Sequence, residues 1–176
     1  MTAQLSNRAT ILSTIYTQLA AISGIGTIYR EPPPIMSDAD LIAMFYNSTI
    51  DTLNGGWISI QDAAEDVVFT IGQHGSNQRT LTISVAYFYG AARNPASPSG
   101  TGSRARFEAN VEAIAQVLRQ RPAVLFASAG ITPTPQWAPG GMVSIEHVGP
   151  ARMDGAPVVV HSAVLKVKFL EWLTRE

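Results

Sequence analysis

Residues 79–89, Arg79-Thr80-Leu81-Thr82-Ile83-Ser84-Val85-Ala86-Tyr87-Phe88-Tyr89, decide the reading of the fold. Leu81, Ile83, Val85, Tyr87 and Tyr89 alternate with Thr80, Thr82, Ser84 and Ala86. Successive side chains on a strand point to opposite faces, so this alternation marks a strand with one face turned to a core. Just upstream, the polar loop Gln73-His74-Gly75-Ser76-Asn77 follows the apolar run Val67-Val68-Phe69-Thr70-Ile71, which predicts an antiparallel hairpin. Trp57-Ile58-Ser59-Ile60-Gln61 reads as a further strand, set off by the turn signal Asn54-Gly55-Gly56.

Two helices flank this strand-rich middle. Leu5, Ala9, Leu12, Tyr16 and Leu19 recur at spacings of four and three, and Ile15 and Ile22 widen the stripe, so residues 5–22 predict an amphipathic helix. Ser23-Gly24-Ile25-Gly26 stops it, and the short strand Thr27-Ile28-Tyr29-Arg30 runs into Pro32-Pro33-Pro34. Asp38–Asn47 predicts a short helix capped by Ser37 or Asp38. The second major helix carries Phe107, Val111, Ile114 and Leu118, with Ser103 as its cap and Pro122 beyond its end. Met142–His147 predicts a strand, Gly149–Pro157 a turn, and Val158 to about Leu170 a closing strand. On that last strand Val159, Ala163, Leu165, Val167 and Phe169 share one face, while Lys166 and Lys168 take the other. The expectation is one α+β domain spanning 1–176, with a mainly antiparallel or mixed sheet, both major helices on one face and long loops. Two segments stand apart: a flexible loop at 90–103, GAARNPASPSGTGS, and a Pro/Gly-rich insertion at 130–141.

Composition narrows the function classes. Of 176 residues 46% are hydrophobic, enough for a core and against disorder. The charge sum is 12 − 13 = −1, which argues against a broad nucleic-acid or anionic-membrane footprint. There is no cysteine, hence no disulfide framework and no thiolate metal site. The first residues carry no basic flank ahead of an apolar run, so no signal peptide is expected, and no apolar run is long enough to span a bilayer. Charged residues reach only 14%, against roughly 25% in an average soluble domain. With a mean hydropathy of +0.12, that suggests either a surface that meets other protein or an ordinary neutral domain covered in Thr, Ser and Gln.

Chemistry is sparse. His74, His147 and His161 lack a second ligand at helical metal spacing, and Glu146 and His147 are strand neighbours whose side chains diverge. No nucleophile elbow is present, and Gly100-Thr101-Gly102-Ser103 lacks the Gly-Lys-Ser/Thr ending of a phosphate loop. Asp62, Glu65 and Asp66 form the densest acidic cluster, read as a solvated turn or a negative patch. Arg119 and Arg121 sit where a helix C-terminus favours cations. No catalytic, cofactor-binding or metal-ligating residue is assigned, and no enzyme activity is expected. By elimination, Arg93, Arg104 and Arg106 around the loop, Trp137 in its Pro/Gly passage and Trp57 beside a turn are the interface candidates, since Trp and Arg dominate interface hot spots. Packing within the fold competes for Trp57, and packing beneath the first helix is favoured for Trp172.

The order of elements resembles the tailed-bacteriophage tail terminators, also called tail-completion or minor tail proteins. The opening helix Leu5–Ile22, the strand ending Tyr29-Arg30-Glu31-Pro32, the strand Arg79–Tyr89, the helix Arg104–Arg121 and the closing strand Val158–Trp172 carry the resemblance. It implies a structural virion protein of the tail and neck, assembled in the host cytoplasm, that forms a ring of six copies on the last ring of tail-tube subunits. Such a ring stops tube polymerisation and offers a docking surface to the head-side connector or stopper. Its lumen passes DNA without sequence-specific binding, it needs no cofactor, and it does not enter a membrane. The alternatives are another head–tail joining or stopper protein of the neck, or a small ligand-binding domain or enzyme with the loop as a lid.

Overall fold

The computed structural model describes residues 7–34, 37–68, 76–91, 102–132, 134–152 and 159–174. In chain order the elements are α1 (Arg8–Ala20), β1 (Thr27–Tyr29), α2 (Asp38–Phe45), β2 (Tyr46–Asn47), β3 (Thr52–Val68), β4 (Ser76–Ala91), α3 (Ser103–Leu118), α4 (Pro122–Leu125), β5 (Gln136–Trp137), β6 (Ser144–Arg152) and β7 (Val159–Thr174). One sheet runs β1-β3-β4-β7-β5, with β2 also on β3 and β6 also on β7. Among the described residues only β1 on β3 is parallel, and every other pair is antiparallel. This is the α+β, largely antiparallel arrangement expected.

Leu81, Ile83, Val85, Tyr87 and Tyr89 of β4 are all buried in the core, beside Ile58 of β3 and Ala163, Leu165, Val167 and Phe169 of β7. Helices α1 and α3 cover this first face through Ile11, Ile15 and Leu19 and through Phe107, Val111, Ile114 and Leu118. The α3 stripe is the one the sequence spells out. On α1 the buried line is Ile11–Ile15–Leu19, so the expected Ala9 is exposed and Leu12 and Tyr16 only flank the core. Helix α2, capped by Ser37, whose Oγ accepts from the Asp40 N–H at 3.3 Å, belongs to the second face. There Phe45, Leu53 and Val160 form a small second cluster with Tyr29, Trp57 and Phe88.

Several local expectations are corrected. Asn54-Gly55-Gly56 is no turn: β3 runs unbroken through it, paired with Tyr89, Phe88 and Tyr87. Its glycines serve close approach instead. A Cβ on Gly55 would overlap the Phe45 ring and the Thr27 carbonyl, and one on Gly56 would overlap the Ala86 carbonyl. The two strands expected around 57–71 are one strand through Val68 with an irregularity between Ile60 and Asp62; Phe69–Ile71 lie outside the described residues. Asp62, Glu65 and Asp66 therefore sit on strand backbone rather than in a turn. Ser103 does not cap α3; it is the first helical residue, and its Oγ accepts the Ala91 N–H at 3.1 Å. The expected turn at Gly149 is strand as far as Arg152, with an irregularity between Val148 and Ala151 at Gly149-Pro150. Trp172 is not beneath α1, because the pleat gives that face to Glu171, whose Oε1 accepts the Asn7 N–H at 2.8 Å.

One buried polar network ties the layers together. The fully buried Tyr87 hydroxyl donates to Asn54 Oδ1 at 2.8 Å and accepts from Asn110 Nδ2 at 2.6 Å. Asn54 and Asn110 both donate to the Gly24 carbonyl, at 2.8 and 3.3 Å. Burial pushes the Tyr87 phenol well above its ordinary range, so it stays protonated and keeps donating. Tyr87→Phe strands two amide groups at once, and a loss of about 1–3 kcal/mol is expected in urea denaturation. An unchanged midpoint would show that the network contributes nothing.

Candidate functional site

The arginine candidates lie around the start of α3. Arg104 is exposed and its Nε donates to Glu108 Oε1 at 2.8 Å, one turn along the helix. A pair this exposed is screened by water and contributes little to stability. Arg106 is exposed and has no ion pair among the described residues. Arg93 lies outside the described residues, as does 92–101 of the expected loop; Gly90 and Ala91 at its near end are the last residues of β4. The Ser103–Ala91 hydrogen bond holds the two ends of this segment beside one another.

Trp57 is half-buried on the second face, 5.0 Å from Phe88 and 6.4 Å from Phe45 between ring centroids. Phe45 in turn meets Tyr29 edge-on at 5.5 Å. Trp57 thus belongs to the cluster that fixes α2, with part of its ring at the surface.

Trp137 sits in β5, paired with Phe169 at the edge of the sheet and packed against the main core. Its indole Nε1–H is buried and has no acceptor among the described residues. It lines a cleft of about 690 Å³ together with Arg119, Arg121, Pro122, Ala123, Thr134, Pro135 and Gln136. Arg119 is held by Glu112 at 2.5 Å, while Arg121 is exposed and has no ion pair among the described residues. The cleft joins the end of α3 to a two-residue strand nearly twenty positions later, a juxtaposition no local spacing announces.

Two of the three histidines converge at the other end of α3. Phe107 stacks on Tyr87 at 6.1 Å, meets His161 at 5.5 Å and takes His147 edge-on at 5.7 Å. Burial pushes the His161 imidazole down, and the Arg104 guanidinium adds to that while the Glu108 carboxylate opposes it. The folded state therefore prefers neutral His161, and the unfolded chain takes the proton first. The stability this gives is complete above about pH 6.5 and is lost as pH falls from there toward the lower folded value. The Glu108 carboxyl, held down by its hydrogen bond from Arg104, loses its share only in the acid range. Thermal denaturation from pH 7 to 5 should show a decline that His161→Gln flattens; equal slopes would remove His161 as the cause.

Sequence reading missed the most exposed apolar feature. Strand β6 is exposed at nearly every position, paired with β7 alone. Met142 ahead of it (79% exposed), Val148 within it (52%) and Val159 opposite (46%) lie on this arm. No local pattern announces it: Val143 and Ile145 pack against the main core, while Val148 is left exposed on a strand paired with β7.

Among the described residues no group of three or more His, Asp or Glu is placed to hold a metal ion, and no helix is long and apolar enough to cross a membrane. Compared with known protein families and with curated proteins, the chain matches none.

Proposed function

We propose that this protein is a structural ring-forming subunit of a phage tail, of the tail-terminator kind: copies of it cap the tail tube, stop its polymerisation and receive the head-side connector. The observation that supports this reading is the β6–β7 arm. A nine-residue strand exposed at every position but Ile145, with Val148 and Val159 bare, is unusual for a lone globule and a ready contact for a neighbouring chain. Low overall charge points the same way. Closure into a ring needs one patch meeting a different patch on the next copy.

Light scattering of the purified chain, with and without tail-tube subunits, tests the reading alongside imaging of tail ends in lysates. A chain that stays monomeric in both and never decorates tails would remove it. Deletion separates it from a joining or stopper role in the neck: overlong tails are expected for a terminator, normal tails without heads for a neck protein. Arg104→Glu combined with Arg93→Glu is expected to reduce assembly several-fold by sedimentation without altering the circular dichroism spectrum, because interface arginines are frequent hot spots.

The cleft at Trp137 supports a second reading, a domain that takes an apolar molecule bearing a carboxylate. Its volume suits a small ligand, and the guanidinium groups of Arg119 and Arg121 stand among its lining residues. Quenching of Trp137 fluorescence by aromatic carboxylates, abolished in Arg121→Glu, is the expected sign; no quenching at millimolar ligand would dismiss it.

A further inference from the structure

We infer that copies of this chain join edge to edge, the outer edge of β6 on one copy pairing with the outer edge of β3 on the next, so that a single sheet continues across the subunit boundary. The inference rests on the ring reading and names its interface.

The argument starts from where strand partners run out. β1 covers β3 only at Gly55–Trp57 and β2 only at Thr52–Leu53. From Ile58 to Val68 the outer edge of β3 has no partner among the described residues. On the opposite side of the sheet, β6 pairs with β7 and with nothing else among the described residues. Free edges of this length are templates for pairing with another chain, and proteins that stay alone blunt them with proline, charged side chains or bulges. Ser59–Val68 has no proline or lysine but carries Asp62, Glu65, Asp66 and the irregularity between Ile60 and Asp62, so this edge is blunted in part. On β6 the proline, Pro150, lies beyond Ser144–Val148.

Strand directions agree with such a junction. β3, β4, β7 and β6 alternate in direction along the sheet, so β6 of one copy meets β3 of an equally oriented copy antiparallel. The stagger agrees as well. Ser59 lies level with Lys166 and Val68 with Thr174, whereas β6 runs from the level of Lys166 to that of Val159. Bringing the two edges together needs a shift along the strands at each boundary. A shift of four residues (~3.3 Å each), an even number so that every side chain keeps its face, across a repeat of about four strands (~4.8 Å each) tilts the strands by roughly 35°. Closed barrels tilt their strands by roughly 35–45°. At that shift Ser144–Val148 run beside Ser59–Ala64, and Ile145 comes level with Ala63. The contact is heterologous, so it builds a ring where the rotation between copies closes, and it does not build a two-fold dimer.

Amide hydrogen exchange on the full chain, below and above the concentration at which light scattering detects an oligomer, tests this. Expected on assembly is a slowing of about tenfold or more confined to Ser144–Val148 and Ser59–Ala64. Val148→Lys places a charge at an exposed edge position and should weaken assembly about tenfold or more, with the circular dichroism unchanged. Val124→Lys, at a site 64% exposed on α4, should leave assembly alone. An oligomer in which both edges exchange as fast as in the monomer, and which Val148→Lys forms normally, overturns edge pairing and leaves the ring reading standing. A chain that stays monomeric at every concentration, with tube subunits present, removes both.

Discussion

Gly56→Ala is expected to cost about 3 kcal/mol or more of folding stability, enough to leave a marginal domain largely unfolded. The added methyl group would occupy the space of the Ala86 carbonyl oxygen on the next strand. That oxygen belongs to the backbone, so no side-chain rotation relieves the overlap; β3 and β4 have to separate where Trp57 faces Ala86 and Ile58 faces Val85. Separation there breaks the ladder at its middle, since β4 lies between β3 and β7. Gly149→Ala is the control. Nothing stands within 4 Å of a Cβ at that position, so its midpoint should lie within about 0.5 kcal/mol of the parent. Chemical denaturation of the three proteins decides the matter, and equal midpoints for Gly56→Ala and the parent would show that the strands accommodate the methyl group.

The same glycine explains where sequence reading succeeds and where it stops. Alternation over Leu81–Tyr89 and the stripe Phe107–Val111–Ile114–Leu118 are periodic signals, written by burial along one element, and both faces follow from them. Asn54-Gly55-Gly56 carries the composition of a turn, yet the need for glycine comes from the Phe45 ring, the Thr27 carbonyl and β4, none of which is near in sequence. Gly149-Pro150 misleads in the same manner: pairing with β7 carries the strand past a local breaker at the cost of one irregularity. On α1 the apolar stripe is wide enough to admit two registers, and contact with the sheet selects Ile11, Ile15 and Leu19. Candidate contact residues are the least legible class. Trp57 is a contact candidate by residue type with packing as the equal alternative, and it packs in the α2 cluster with part of its ring at the surface. The cleft at Trp137 and the bare arm at β6 are products of tertiary placement alone.

Phe107→Ala is expected to lose about 3–5 kcal/mol, since a fully enclosed aromatic ring leaves a cavity that the surrounding layers fill only in part. Phe107 is 3% exposed and touches Tyr87 of β4, His161 of β7 and His147 of β6. Among the described residues β6 pairs with β7, and this ring, together with Ile145 packed against the main core, ties the arm to the helical layer. Loss of the ring therefore has a second, local consequence beyond global stability. Amides of Ser144–Val148 should exchange faster than the change in unfolding free energy accounts for, because the arm opens without the rest of the sheet. Phe107→Leu keeps most of the volume and should cost less than about 1.5 kcal/mol, leaving the arm's exchange close to the parent's. A mutant in which β6 and the centre of β4 speed up by the same factor would mean that the ring stabilises the whole fold and has no separate hold on the arm. If instead β6 alone loosens, assembly should fall with it, since an edge has to be held in place before a neighbour can pair with it.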